Sequence, residues 1–376
     1  VREPGIFSGA IIAQDEVETW TTHLSLPMDA DPNLIKSEDA VATVLGGLNE
    51  KYPVAIDEIL VRSVWRPNIA VARQWSSRGG RVHIAGDAAH QNIPTGGYGM
   101  NMGVGDAYDL GWKLAAVCNG CAGRSLLASY ESERRPVSLR NTERSGQHMK
   151  VHEDLSGLLM AGDPHRLDAD NAEGKKLRED LHQYYQENDH ENKDFGVEMG
   201  YRYQSRCVIP PEEGEVEPES SPSRYNPTTW PGGRPPHLFL DDGSAIFDLL
   251  GKDWTVVTFG DADKAGANFV LQAAERLNIP MTHLDLAGHE QARRLWERDV
   301  VLVRPDVHVA WRTDCIESLG EAMDKLQIVT GLKRGTGSEV QADSGSVTLK
   351  TAFTSTTGIE TQTKLFELER MADFQK

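Results

Sequence analysis

The sequence predicts a mixed α/β (α+β) chain of about two or three domains. Three observations carry that expectation. Stretches rich in β-branched and aromatic residues dominate the chain before residue 86, and helical patterns follow from about residue 106 to residue 200. An acidic, proline-rich break comes next, after which strands and helices alternate from residue 255 onward.

Taken in order, residues 5–27 are strand material, with Val17, Trp20, Thr21, Thr22 and Leu24 set among polar positions. The apolar run Gly5–Ala13 has the length of a signal peptide, but it continues straight into Gln14-Asp15-Glu16-Val17-Glu18 and reads better as a buried strand. Ser37 to Leu48 predicts a helix with Val41, Val44 and Leu45 on its apolar face, Ser37 as N-cap, and Glu38 and Asp39 in the first turn. Residues 59–75 are β-rich through Ile59–Trp65 and Ile69–Ala72, and Val82–Ala85 predicts a short buried strand. Asp106 to Val117 predicts a helix whose stripe is Ala107, Leu110, Leu114 and Val117. A second helix is expected over Ser125–Ser138, and residues 139–200 are polar and helical in pattern. Five histidines fall there (His148, His152, His165, His182, His190), without an H-E-x-x-H pattern, and read as exposed rather than as metal ligands.

Residues 210–236, beginning Pro210-Pro-Glu-Glu-Gly-Glu-Val-Glu-Pro, predict an exposed, extended linker. Beyond it come a strand at Thr255–Phe259, a helix at Ala265–Leu277 and a strand at Met281–Asp285. Val300–Arg304 and Val307–Trp311 predict two strands around a Pro-Asp turn, and Ile316–Thr330 a closing helix. That order is the order of a thioredoxin-like domain. Its first helix carries Gly260-Asp-Ala-Asp263 where a redox domain would have C-x-x-C, so thiol chemistry is not expected of it. The tail from Gly331 reads as flexible to about Thr363, with a short helix over Lys364–Ala372. The expected division is residues 1–209, a linker at 210–236, a module at 237–330 and a tail at 331–376.

Composition excludes several function classes. A net charge of −18 argues against a nucleic-acid-binding face. No apolar run approaches the ~20 residues that span a bilayer. Four cysteines do not make a disulfide scaffold, so a reducing, cytoplasmic setting is expected. Cys118-Asn-Gly-Cys121 matches C-x-x-C, yet reads as a helix end capped by Asn119-Gly120.

The most informative stretch is Arg81-Val-His-Ile-Ala-Gly-Asp-Ala-Ala-His90, continuing Gln-Asn-Ile-Pro94-Thr-Gly-Gly-Tyr-Gly99-Met-Asn101. A strand, a carboxylate at Asp87, a turn with Gly96, Gly97 and Gly99, and a helix starting near Met100 follow one another. Glycines permit positive φ and close approach, and a helix start offers free N–H groups and the positive end of its dipole. Such a place suits a ligand with hydroxyls and electron-rich carbonyls, a flavin among them. The same pattern also serves as a plain helix cap.

The run Gly80–Val137 resembles the second flavin-binding segment of FAD-dependent aromatic hydroxylases, the single-component monooxygenases of the p-hydroxybenzoate and phenol hydroxylase type. The resemblance rests on Gly80-Arg81-Val82, Gly86-Asp87-Ala88-Ala89-His90, Pro94-Thr-Gly-Gly-Tyr-Gly-Met-Asn101, Asp106-Ala-Tyr-Asp-Leu-Gly-Trp-Lys-Leu-Ala115 and Leu126-Leu-Ala-Ser-Tyr-Glu-Ser-Glu-Arg-Arg-Pro136. Tyr201–Ser205, Pro231–His237, Asp242–Ser244, Leu302–Asp306 and Ala310–Arg312 resemble the C-terminal thioredoxin-like domain of the phenol hydroxylase branch. The resemblance implies a p-hydroxybenzoate-hydroxylase-like FAD domain followed by that module. It implies that Gly86, Asp87, Pro94, Gly96, Gly97, Gly99, Met100 and Asn101 hold FAD, with Asp87 on the ribityl chain and the Met100 and Asn101 N–H groups facing the pyrimidine carbonyl. Pro94 would lie near the substrate.

It further implies reduction by NAD(P)H, transfer of an oxygen atom from O2 to a phenolic or polyketide-like aromatic, and a homodimer. Neither nucleic acid nor membrane is expected as a partner. No catalytic acid or base is assigned; Arg66, Arg73 and His90 lie in the right neighbourhood. The family begins with a G-x-G-x-x-G strand–turn–helix for the ADP moiety, and this chain, which starts at Val1, lacks it. The expectation is therefore the C-terminal portion of a longer monooxygenase. The alternative from another class is a catalytically incomplete remnant that acts as a dimerisation or interaction module.

Overall fold

The structure, a computed structural model, describes residues 9–15, 17–26, 29–46, 54–65, 68–161, 164–259 and 264–333. Arg66, Gly260–Asp263 and the expected tail helix lie outside the described residues. The chain divides into two compact units, one drawn from residues 1–68 and 145–189, the other from residues 69–144 and 190–333.

In the first unit, β1 (Gly9–Ala13) and β2 (Trp20–Leu24) form an antiparallel hairpin in the register Gly9↔Leu24 to Ala13↔Trp20. The Asp15 carboxylate closes the turn by accepting the N–H groups of Val17, Glu18 and Thr19 at 2.9, 2.8 and 3.0 Å. Helix α1 (Ser37–Leu45) departs from expectation at its start, because Ser37 is already helical and the cap is the extended Lys36, which makes no side-chain bond. The expected strand over residues 59–65 does not form; no ladder reaches it among the described residues, and a strand needs a partner for its N–H and C=O groups. That segment is instead tied down through Arg62, which donates to the carbonyls of Pro32 and Ile35 at 2.6 and 2.7 Å.

The helices expected over Ser125–Ser138 and beyond merge into one, α3 (Arg124–Met160), with Pro136 inside it. Helix α4 (Ala172–Asn188) is capped by Asn171, whose side chain accepts the Gly174 N–H at 2.8 Å. His148, expected to be exposed, is buried.

In the second unit, two-residue strands β3 (Ala70–Val71) and β4 (His90–Gln91) pair antiparallel. The strand expected at Val82–Ala85 is absent. Two bonds (Ser77 N–H to Val82 O, 2.9 Å; Ile84 N–H to Trp75 O, 2.9 Å) fold residues 75–84 into a narrow loop. Its inner side chains pack on Trp75 and Tyr130, while Val82 faces outward. Helix α2 (Tyr98–Cys118) follows, two residues earlier than the sequence indicates, and ends at Gly120 with φ 75°. The short helices α5 (Phe195–Met199) and α6 (Ile246–Leu249) come later.

The same unit contains a four-stranded sheet built from β5 (Trp254–Thr258), β6 (Met281–Asp285), β7 (Val300–Val303) and β8 (Val309–Thr313). Its order is β6-β5-β7-β8, with β5 and β6 parallel and the other pairs antiparallel. Helices α7 (Lys264–Arg276), α8 (Glu290–Trp296) and α9 (Leu319–Val329) complete it. Alternate residues face opposite sides. Val256, Leu302 and Ala310 meet Val270, Ala273 and Leu326 on one face. Val257, Val301 and Val309 meet Ile246, Leu286 and Trp296 on the other. Burial of both faces explains why these strands are continuous apolar runs.

The outer edge of β8 is covered by residues of the expected linker: Gly232 donates to Val309 O at 2.7 Å and Val309 donates to Gly233 O at 2.9 Å. Residues 228–233 are therefore buried, unlike the exposed stretch before them. Gly232 has φ 85°, and a Cβ there would lie 2.0 Å from the Tyr203 carbonyl.

Candidate flavin site

The glycine turn and the Gly86-Asp87 turn come together at the start of α2. Gly96 and Gly97 hold φ of 80° and 66°, and this left-handed pair lets the chain enter the helix without a side-chain cap. The first N–H groups of α2 thus keep no intrahelical partner, at the positive end of a 21-residue helix. A Cβ placed on Gly97 or Gly99 would meet nothing within 4 Å, so the face there is open. Two N–H groups of the turn are taken, since Gly96 donates to the Glu191 carboxylate at 2.5 Å and Gly97 to Pro94 O at 3.0 Å.

Gly86 sits against α2 at Gly103, with a Cβ built on Gly103 only 3.5 Å from the Gly86 Cα. This approach sets Gly86 and the adjoining Asp87, whose side chain is exposed, against the second turn of α2. Pro94, Gly97, Met100 and Asn101 are exposed as well, Met100 at 77 %. The Asn101 side chain donates back to Gly97 O at 2.9 Å.

Buried side chains that the sequence reading passed over hold this surface in place. Asp106 accepts three bonds: from Gly86 N–H at 3.1 Å, His90 Nε2 at 2.8 Å and Arg134 Nε at 2.8 Å. Burial works against its charge, but the His90 hydrogen bond and the Arg134 guanidinium outweigh it and hold the carboxyl below its usual range. Arg134 also donates to Met102 O and the Tyr203 hydroxyl, both at 3.1 Å. Gly105 makes room for it, because a Cβ there would lie 2.7 Å from Nη2. Tyr98 at the first helical position donates to Asp194 at 2.9 Å, and Asp194 in turn receives Arg144.

The buried stripe of α2 is therefore Met102, Asp106, Asp109 and Lys113, not the expected Ala107, Leu110, Leu114 and Val117. His90 belongs to this scaffold, buried beside Trp75, while Arg73 is exposed. The signal available in the sequence was Gly103-x-Gly105-Asp106, small residues and a carboxylate along the first turns of the helix.

Residues 3–145 match the family described as FAD binding domain, and residues 228–331 the family described as aromatic-ring hydroxylase, C-terminal. The chain belongs to the FAD-dependent aromatic-ring hydroxylases. Within that family it is 42 % identical over 348 residues to the FAD-dependent monooxygenase apdD of Emericella nidulans, covering 91 % of this chain and 56 % of that protein. It is 30 % identical over 323 residues to phenol 2-monooxygenase of a Pseudomonas strain, covering 78 % and 52 %. The solved flavin-dependent monooxygenase PieE, in complex with FAD and substrate, superposes with a TM-score of 0.71 at 27 % identity, covering 88 % of this chain and 60 % of PieE. The chain spans about half the length of the curated relatives it matches. Among the described residues no helix is long and apolar enough to cross a membrane.

Proposed function

We propose that this chain contributes the ribityl and pyrimidine half of an FAD site in an NAD(P)H-dependent monooxygenase that hydroxylates a phenolic or polyketide-like aromatic. The observation that carries the reading is the start of α2 without a side-chain cap, open at Gly97 and Gly99, on the helix whose next turns hold the Gly86-Asp87 turn through Gly103 and Asp106. These residues fit the group. In this reading Asp87 accepts from ribityl hydroxyls, and the N–H groups at Met100 and Asn101 donate to a ring carbonyl. Gly86, Gly96 and Gly97 give the backbone its approach, and Pro94 borders the substrate side.

FAD, when bound, supplies the electrons that activate O2. The protein's part here is placement and a positive dipole end that favours negative charge on the ring. The relatives named for phenol and for FAD-dependent oxygenation support the substrate class. Within the same proposal, residues 1–209 form part of the FAD and substrate domain, 210–236 a linker, 237–330 a thioredoxin-like module and 331–376 a tail. The β6-β5-β7-β8 order supports the thioredoxin-like reading. Four free cysteines support a cytoplasmic setting, and the position of β6 at the sheet edge among the described residues supports a homodimer.

Titration of the purified chain with FAD tests the central reading. Saturable quenching of flavin fluorescence with a shifted visible spectrum is expected. A protein that stays colourless and takes up no added FAD would refute flavin binding by this chain and leave the interaction-module reading standing.

A further inference from the structure

Beneath the flavin turn lies a second polar cluster that the proposed chemistry does not use. Asp109 and Lys113 of α2, Glu133 of α3, and Arg304 and Asp306 of the turn between β7 and β8 meet in one place, none more than 7 % exposed. Lys113 lies 2.8 Å from Asp109 and 2.6 Å from Glu133. Arg304 reaches Glu133 at 2.8 Å, Asp306 at 2.6 Å and Asp109 at 3.2 Å, and its guanidinium lies over the rings of Trp112 and Tyr203, each at 5.2 Å. The cluster thus ties the helix that carries the glycine turn to the C-terminal sheet.

Three carboxyl groups face two cations here, and a buried charge without a partner is costly. The carboxyls are not equivalent. Glu133 accepts from Lys113, twice from Arg304, and from Ser205 Oγ at 2.6 Å. Asp306 accepts twice from Arg304 and once from the Trp112 indole. Asp109 receives one long bond from Arg304, and its Oδ2, although close to Lys113 Nζ, receives no aligned hydrogen bond.

His308 is the other group able to carry a balancing proton. Its Nδ1 lies 2.9 Å from the Asp306 carbonyl, its Nε2 has no partner, and its ring stacks on Tyr203 at 4.2 Å. Burial lowers the His308 pKa despite Asp306, with Arg304 adding to the effect, so it is neutral. Cys207, raised to about 12 by burial and the Glu133 charge, stays a thiol.

We propose that this cluster is a proton-holding latch: below neutral pH it retains one proton, on Asp109, and loss of that proton as the pH rises loosens the hold of the C-terminal sheet on α2. Burial and the neighbouring acids push Asp109 up to about 7 against the pull of Lys113 and Arg304. Glu133 is buried too, yet Arg304 and Lys113 hold it at about 2. Because the native pKa of Asp109 lies above its unfolded value, its contribution is full in acid and is lost as the pH rises through the native value. The inference does not depend on flavin binding.

Two measurements on the purified chain test it. Infrared spectra between pH 5 and pH 9 should show the C=O stretch of a buried protonated carboxyl that disappears near neutrality and is missing in Asp109→Asn. Thermal unfolding over the same range should show the wild type losing about 5 °C relative to Asp109→Asn as the pH rises. A pH dependence abolished by His308→Gln instead, or a wild type with no such band, overturns the proposal. If Asp109→Asn does not fold, the wild-type infrared titration and the His308→Gln comparison still decide.

Discussion

Asp106→Ala is the perturbation that most directly tests how the Gly86-Asp87 turn is held. Asp106 accepts from Gly86, His90 and Arg134 at 3.1, 2.8 and 2.8 Å with no exposure to solvent. Its removal leaves the Arg134 guanidinium buried beside two neutral acceptors, Met102 O and the Tyr203 hydroxyl. Breaking a buried pair from one side costs about 3–5 kcal/mol. The lost bonds to the buried His90 and to the Gly86 N–H are counted within that range. Urea unfolding followed by tryptophan fluorescence reads the loss as a lower midpoint, by about 1–2 M for a slope of about 2–3 kcal/mol/M.

Asp106→Asn should fall between wild type and Ala, because an amide offers one acceptor where the carboxylate serves three donors on two oxygens. The pH dependence has the opposite sign to that of Asp109. The native pKa of Asp106 is depressed, so its contribution is present above about pH 4 and is lost as the pH falls through the native value. An Asp106→Ala protein within ~1 kcal/mol of wild type, with an unchanged acid limb, would refute the idea that this carboxylate anchors the turn.

Three further outcomes follow from the geometry. Asp87→Ala should weaken FAD binding about tenfold, the loss of one charge-assisted hydrogen bond, and leave the melting temperature unchanged because Asp87 is exposed; fluorescence titration and calorimetry check both halves. Gly105→Ala should destabilise by about 1–3 kcal/mol, since the new Cβ falls 2.7 Å from an Arg134 side chain already fixed by three acceptors, and denaturant unfolding measures it. Arg304→Met should cost about 3–5 kcal/mol by leaving Glu133 and Asp306 buried without their shared cation, with the loss read in thermal unfolding at pH 7.

Much of the fold could be read from residue patterns where a local rule holds without outside help. The strands of the C-terminal sheet are short apolar runs bounded by turn residues, and β5, β6, β7 and β8 lie within a few residues of expectation. Helix α8 departs from expectation because Glu290–Trp296 spans only two turns, and its apolar anchors Ala292, Leu295 and Trp296 carry little periodicity over that length. The strands expected at 59–65 and 82–85 failed for another reason. A β-rich run states that a segment suits a sheet, whereas a ladder also requires a partner: no ladder reaches residues 59–65 among those described, and at 82–85 the pairing stops at the single Ser76–His83 bridge of the narrow loop.

By itself, the sequence determined the kind of site: a carboxylate after a glycine, a turn whose glycines must take positive φ, and a helix start left uncapped. Those are local properties, encoded within some twenty consecutive residues. The tertiary structure alone decided which face of α2 is inside. Asp106, Asp109 and Lys113 read as solvated charges along the chain, and no periodicity rule places them in a core. They are buried because Arg134, Glu133 and Arg304 arrive from α3 and from the β7–β8 turn. A charge is stable away from water only beside its partner, and a partner nearly two hundred residues away becomes visible only once the chain has folded.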